Sequence, residues 1–258
     1  RDRFFRGIDR RAIRHRKPQR HCKLRLRNEF FDLTTGPPLF LPQRSTILAA
    51  KTDRGANDDG GLMLGSGPTA PEARDWDRGA IDTILAINNA HLVRPDWDLH
   101  IYPWDFPEDR RPVPGPGQRA VTQEDFVPAQ NAFGGFVYAG GTMAFTAAYW
   151  ALAALKPQVL AAFGCDMHYP KGQTHFYGAG TADPLRADIT LQSLEAKSAR
   201  LMVLAAMQGC AMVNLSNGPS RLIFPRVART AAARARPLAY CADTAAAALA
   251  REAELGYQ

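Results

Sequence analysis

An α/β domain built on a mostly parallel sheet is the fold class this sequence predicts, and three features predict it. Short apolar runs recur, and they are continuous rather than alternating, as in GLML, TILAI and VLAAF. Continuous runs mark strands covered on both faces. Between the runs lie stretches with helical character, such as TMAFTAAYWALAAL and LQSLEAKSARLMVLAAMQ. Polar, glycine-punctuated residues then follow the runs at their C-terminal ends, where open parallel sheets collect ligands.

The amino-terminal part does not fit this pattern. The 258-residue chain carries 32 Lys/Arg and 25 Asp/Glu, a formal net charge of +7. Residues 1–27 hold 12 of the basic and 2 of the acidic residues, so the remaining 20 basic and 23 acidic residues balance at −3. Such a basic, weakly apolar tail predicts a solvated, largely disordered arm, either without function or able to steer the chain to anionic lipid or nucleic acid. Residues 28–58, rich in Pro, Gly and Asp, extend it. The domain plan is therefore a basic, loop-rich extension over 1–58 and one domain over 59–258. No apolar run reaches the roughly 18 residues of a membrane span. Cys22, Cys165, Cys210 and Cys241 form no Cys-x-x-Cys pair, the pattern of reduced thiols in a cytoplasmic protein. Peripheral contact with the inner membrane face through the basic arm is compatible with that reading, and specific nucleic-acid binding is not expected.

In chain order, Leu62 to Leu64 predicts the first strand, GSGPT a turn, and Thr69 or Pro71 the entry to a helix. Ile81 to Ile87 predicts a second strand ending at Asn88 and Asn89, and LHIY a third ending at Pro103. Asp105 to Gly117, with its prolines and glycines, reads as a long loop. A short strand is expected around Phe136 to Tyr138. After it Gly140, Gly141 and Thr142 open a helix stopped by Lys156 and Pro157. VLAAFG is a buried strand, Asp183 and Pro184 open a long helix, and AMVNLS is the last strand, followed by an alanine-rich helix.

The residues after strands make up the candidate site. Gly65, Ser66, Gly67, Pro68 and Thr69 allow backbone N–H groups to approach a phosphate or ribose, although Ala70 breaks the full GxGxxG fingerprint. Asn88, Asn89 and Asp105 follow the next strands. The segment GCDMHYPKGQTHFYG brings Asp166, His168 and His175 with Tyr169 and Tyr177. Carboxylate and imidazoles can ligate zinc or manganese, yet no second cluster completes a shell, and no metal site is assigned. His91 and His100 read as surface or half-buried residues on apolar elements. Cys165 lies beside an acid directly after a buried strand, which suits packing rather than nucleophilic attack. His175 suits removal of a proton from a hydroxyl near neutral pH, with Tyr169 and Tyr177 as donors to a leaving phosphate.

The ordered set of motifs resembles the bacterial sialyltransferases of glycosyltransferase family forty-two and the sialyltransferase-like proteins around them. In that family a Rossmann-like domain of the GT-A-variant kind opens with Gly-Asn-Gly-Pro-Ser, matched here by Gly65 to Thr69. A strand ending in Asn follows, matched by Asn88 or Asn89, then a small-residue turn before an alanine-rich helix, matched by Gly140-Gly141-Thr142. Gly-x-Asp-x-Tyr is similar to Gly164 to Tyr169, and Ser-His-Tyr-x-Gly is similar to Thr174 to Gly178. A Ser-containing loop after the last strand corresponds to Leu215 to Ser220. Ser66 stands where the family has Asn, and His168 offsets the tyrosine by one position.

The resemblance spans residues 61–225. It implies transfer of a sialic-acid-type sugar from a CMP donor to a glycan hydroxyl, with His175 as base, Tyr169 and Tyr177 supporting the phosphate, and no metal or separate cofactor. By the same analogy Gly65 to Thr69, Asn88 and Asn89, Gly140 to Thr142, Asp166 and His168 hold the donor. Two rival expectations stand beside it: a pterin-type pyrophosphokinase using Mg-ATP, which also opens with a Gly-x-Gly-Pro-Ser turn, and a non-catalytic nucleotide-binding protein.

Overall fold

The structure is a computed structural model and describes residues 60–169, 172–180 and 193–256. The expectations for the arm 1–58 lie outside the described residues. A six-stranded, all-parallel sheet organises the rest, in the order β4-β3-β2-β1-β5-β6. The strands are β1 (Gly60–Leu64), β2 (Thr83–Ile87), β3 (Leu99–Ile101), β4 (Arg119–Val121), β5 (Val159–Phe163) and β6 (Ala211–Asn214). From β1 the chain moves outward to β4, then returns to place β5 on the other side of β1. The direction of winding therefore reverses between β1 and β5, where such a sheet opens a crevice at its carboxyl edge.

The continuous apolar runs explain why both faces are buried. Successive side chains of a strand point to opposite faces. Met63, Leu85, Ile87, Leu160, Ala162 and Met212 accordingly belong to one core cluster, and Leu62, Leu64, Ile84, Ala86, Ala161 and Phe163 to the other. The first cluster is covered by α1 (Gln123–Asn131), α3 (Met143–Ala154) and α4 (Leu194–Met207). Helix α3 is apolar nearly all round and buries Phe145 through Leu152 without a break, as expected of a helix enclosed by neighbours. The second face is covered more thinly. A 3-10 helix at Ala70–Asp75 places Ala70 and Ala73 on it, joined by Ala90, Val93 and Trp97 and by partly buried Trp76, Val227, Ala232 and Ala235.

Several sequence expectations need correction. Phe136–Ala139 is a short helix, α2, rather than a strand. Gly135 precedes it at φ 64 and Gly140 ends it at φ 59, conformations in which glycine has no Cβ clash, so the glycines impose the turn against the strand preference of Phe-Val-Tyr. Strand β4 and helix α1 were not expected. Thr122 and Asp125 form a capping box at the start of α1, the Asp125 carboxylate accepting from the Thr122 N–H at 3.1 Å. The helix expected from Asp183 falls partly on residues outside the description. Helix α4 itself begins at Leu194, with Ser193 as its extended N-cap whose hydroxyl accepts from the Ala196 N–H at 3.0 Å, rather than at Asp183. The helix expected after Thr69 is only a 3-10 segment, and the Thr69 side chain makes no cap.

The carboxyl-terminal helix α5 (Ala242–Glu254) buries none of its residues. It is held through Glu252, which accepts from Arg200 at 2.9 and 2.7 Å, and through Leu249, which packs on the first core cluster. Arg200 also lies 3.6 Å from the Tyr138 ring centroid and donates to the Tyr149 hydroxyl.

Candidate active site

The turn after β1 packs on the end of β5. The Gly65 N–H donates to the Phe163 carbonyl at 2.8 Å, and the Gly67 N–H to the Gly164 carbonyl at 2.8 Å. A Cβ on Gly67 would stand 2.8 Å from the Gly164 oxygen, and one on Gly65 would overlap the same carbonyl. These glycines are thus required by backbone-to-backbone contact. Their N–H groups are used inside the protein, which corrects the expectation that they face a phosphate. What the turn presents is Ser66 and Thr69.

Ser66 joins three segments. Its hydroxyl donates to the Ile87 carbonyl at 3.2 Å, directly before Asn88, and its own carbonyl accepts from the Phe176 N–H at 3.1 Å, directly after His175. The polar residues that follow β1, β2 and β5 therefore meet at one place.

Asn88 itself is held in a left-handed conformation, φ 52, which is uncommon for a residue with a side chain. Two imidazoles hold it there: His91 Nδ1 lies 2.9 Å and His100 Nε2 2.7 Å from the Asn88 carbonyl oxygen. A carbonyl accepts two hydrogen bonds, so both rings can donate in their neutral forms. The rings meet edge to face at 4.7 Å. His100 is 1% exposed and His91 9%, which corrects their placement as surface or half-buried residues. Burial lowers the pKa of both, that of His100 from 6.5 to about 4. This pair is the feature sequence reading missed. The signal in the sequence is only an Asn followed by two histidines, and its meaning depends on the Asn88 backbone.

His175 lies between two tyrosines. Its ring is stacked on Tyr177 at 5.0 Å and tilted to Tyr169 at 5.7 Å. Nδ1 is 2.8 Å from the Thr174 hydroxyl, which also accepts from the Gly180 N–H at 3.0 Å. The hydroxyl oxygen has two lone pairs, so it can take both the Gly180 N–H and a His175 Nδ1–H. That tautomer leaves Nε2 as the basic nitrogen. Burial lowers the His175 pKa, favouring the neutral ring at neutral pH, and pushes the Tyr169 phenol up to about 12, keeping it a proton donor. Gly180 admits the ring, since a Cβ there would lie 2.6 Å from His175 Cε1.

No known protein family, curated protein or solved structure matches the chain.

Asp166 lies beyond β5, where its carboxylate accepts from Asn214 Nδ2 at 3.3 Å, and Asn214 also donates to the Ser220 hydroxyl. This ties the β5 end to the β6 end. His168 is exposed. No group of three or more His, Cys, Asp or Glu able to hold a metal occurs among the described residues, so Asp166, His168 and His175 do not converge on one. Asp105 is exposed on its loop. Asn89 is buried directly after Asn88. Gly140 and Thr142 make local bonds, to the Phe136 and Ala139 carbonyls, and nothing described links them to Ser66. Cys165 is fully buried, its thiol pushed up mainly by burial, which suits packing.

Three buried side-chain oxygens among the described residues have no hydrogen-bond partner: Thr69 Oγ1, Asn88 Oδ1 and Ser216 Oγ. They follow β1, β2 and β6, all on the carboxyl edge of the sheet. Most buried polar groups are satisfied, and three exceptions on one edge mark it as a place where polar ligand groups would be welcome.

Proposed function

We propose that this chain is a glycosyltransferase of the sialyltransferase-like kind, with a Rossmann-like, GT-A-variant domain that takes a nucleotide sugar at the carboxyl edge of its sheet. The observation that carries the reading is the meeting at Ser66, which sets Asn88 on one side and His175 with its tyrosines on the other. The donor would lie across the β1 and β5 ends. Asn88 Oδ1 and Thr69 Oγ1, both without partners, are suited to the nucleoside, and the Asp166 carboxylate, steadied by Asn214, is suited to its sugar hydroxyls.

In the transfer step His175 Nε2 removes the proton from the acceptor hydroxyl as that oxygen attacks the anomeric carbon of the donor. The bond from that carbon to the phosphate oxygen breaks, and the nucleotide leaves with the electron pair. The Tyr169 and Tyr177 phenols are the neutral donors suited to the negative charge that develops on the phosphate. The resemblance of the motifs to family forty-two assigns CMP as the nucleotide, a sialic-acid-type sugar as the group moved and a glycan as acceptor, in the cytoplasm. Among the described residues no helix is long and apolar enough to cross a membrane.

Incubation with CMP-sialic acid and a panel of glycans tests this directly. The reading predicts release of CMP with a new glycosidic product, lowered about 10²–10⁴-fold in His175→Ala. Transfer at an undiminished rate in His175→Ala removes the assigned base, and turnover of Mg-ATP with a pterin instead would establish the pyrophosphokinase.

A further inference from the structure

The chain leaves the carboxyl end of β6 along an arm whose charge differs from the rest of the described residues. From Leu222 to Ala242 it contains Arg226, Arg229, Arg234 and Arg236 and no Asp or Glu. Elsewhere Arg78, Arg94, Arg111, Arg119, Arg200, Arg221 and Arg251 each face a carboxylate. Among the described residues the scattered Arg74 and Arg110 do not, and none of the four arm arginines does. Arg226, Arg234 and Arg236 are exposed, and the same stretch exposes Ile223, Leu238 and Tyr240.

The arm is held in a fixed orientation. The Asn214 N–H donates to the Pro225 carbonyl at 2.9 Å, and the Val227 N–H to the Asn214 carbonyl at 3.2 Å. Val227, Ala232 and Ala235 pack against the second core cluster, and the Arg229 guanidinium stands 5.6 Å from the Trp76 ring centroid. Leu222, Phe224, Val227, Ala232 and Ala235 thus face the body with Arg229 beside them, while Arg226, Arg234, Arg236, Ile223, Leu238 and Tyr240 are exposed.

We propose that residues 223–240 are an interfacial binding arm for an anionic phospholipid surface. Guanidinium groups match phosphate with paired hydrogen bonds. Leucine, isoleucine and tyrosine suit the boundary between headgroups and acyl chains. A nucleic acid would use the arginines alone, because Tyr240 is the single exposed aromatic of the arm and provides no run of stacking platforms. The arm starts at the carboxyl edge of the sheet, the edge that holds Ser66, so lipid binding brings this end of the domain toward the membrane. The inference stands on the arm alone and does not require the transferase reading.

The test uses the full chain with vesicles of phosphatidylcholine alone or of phosphatidylcholine mixed with phosphatidylglycerol, followed by sedimentation and hydrogen exchange read by peptide. Binding to the anionic vesicles with slowed exchange across 223–240 is expected. Each basic residue near an anionic surface strengthens partition about fivefold, so Arg226→Ala/Arg234→Ala/Arg236→Ala together should weaken it on the order of a hundredfold, with an unchanged melting temperature. Leu238→Ser/Tyr240→Ser, which keeps every arginine, should weaken it on the order of tenfold. Unchanged partition in both variants, protection confined to residues 1–27, or equal protection of 223–240 by duplex DNA would overturn the proposal.

Discussion

Two pairs of rings built around histidine show how differently the same side chain can be used. His91 and His100 are buried beside each other, and both aim a ring nitrogen at one carbonyl oxygen, that of Asn88. His175 is half-buried, has one described side-chain hydrogen-bond partner in Thr174, and lies against Tyr177. The first pair hold the left-handed Asn88 in place and have no nitrogen committed to chemistry. The second arrangement fixes one nitrogen in the same way but leaves the ring only half-buried, beside two tyrosines. Each ring has one described hydrogen bond, so burial and surroundings, rather than the presence of an imidazole, separate a structural histidine from one suited to proton transfer.

Substitutions can break this contrast, and the largest effect is expected at His175. His175→Ala should lower transfer about 10²–10⁴-fold, the usual contribution of a general base, with the melting temperature nearly unchanged. Steady-state release of CMP measures it. If stability collapses while activity per folded molecule holds, the two roles have been assigned the wrong way round.

The next effect comes from pH. The pKa of His100 is about 4 in the folded protein against 6.5 unfolded, so the folded state resists the proton that the unfolded chain accepts. Stability is therefore fully present above pH 6.5 and is lost as pH falls from 6.5 toward 4, by about 3 kcal/mol from this group. Denaturant titrations across that window measure it. A His100→Gln protein, whose amide can replace the Nε2–H donor without titrating, should show a flatter profile.

Smaller effects sharpen the comparison. Gly180→Ala would push the His175 ring off the backbone, since the added Cβ lies 2.6 Å from Cε1. Turnover should fall up to about 10²-fold while the melt barely moves, because displacement of a base by an ångström costs alignment rather than packing. His100→Leu removes one of two donors to the Asn88 carbonyl and should cost about 1–3 kcal/mol, seen as a lower denaturation midpoint.

The parts of the fold that could be read in advance were those decided by local chemistry. Strands β1, β2, β5 and β6 are continuous apolar runs because the sheet is buried on both faces, and their pattern is visible without tertiary information. Helix α2 was hidden because Phe136, Val137 and Tyr138 favour strands, while the positive φ angles of Gly135 and Gly140 decide the outcome. Helix α1 carries Pro128 and follows a proline-rich loop, which masked the Thr122 and Asp125 capping box. At the site, polar residues after strands were legible as a group. The use of Gly65 and Gly67 was not, because their partner, Gly164, is distant in sequence. Nor was the grip of His91 and His100 on Asn88, which depends on a backbone angle that no residue pattern specifies.

The central claim is that the segments joined by Ser66 form one nucleotide site, and calorimetric titration of CMP into the full chain with a chelator present tests it most directly. The account predicts saturable binding that survives the chelator and is weakened by Asn88→Ala, while UDP, GDP and ATP bind more weakly. Absence of CMP binding, or binding that appears only with ATP and a divalent cation, would contradict it.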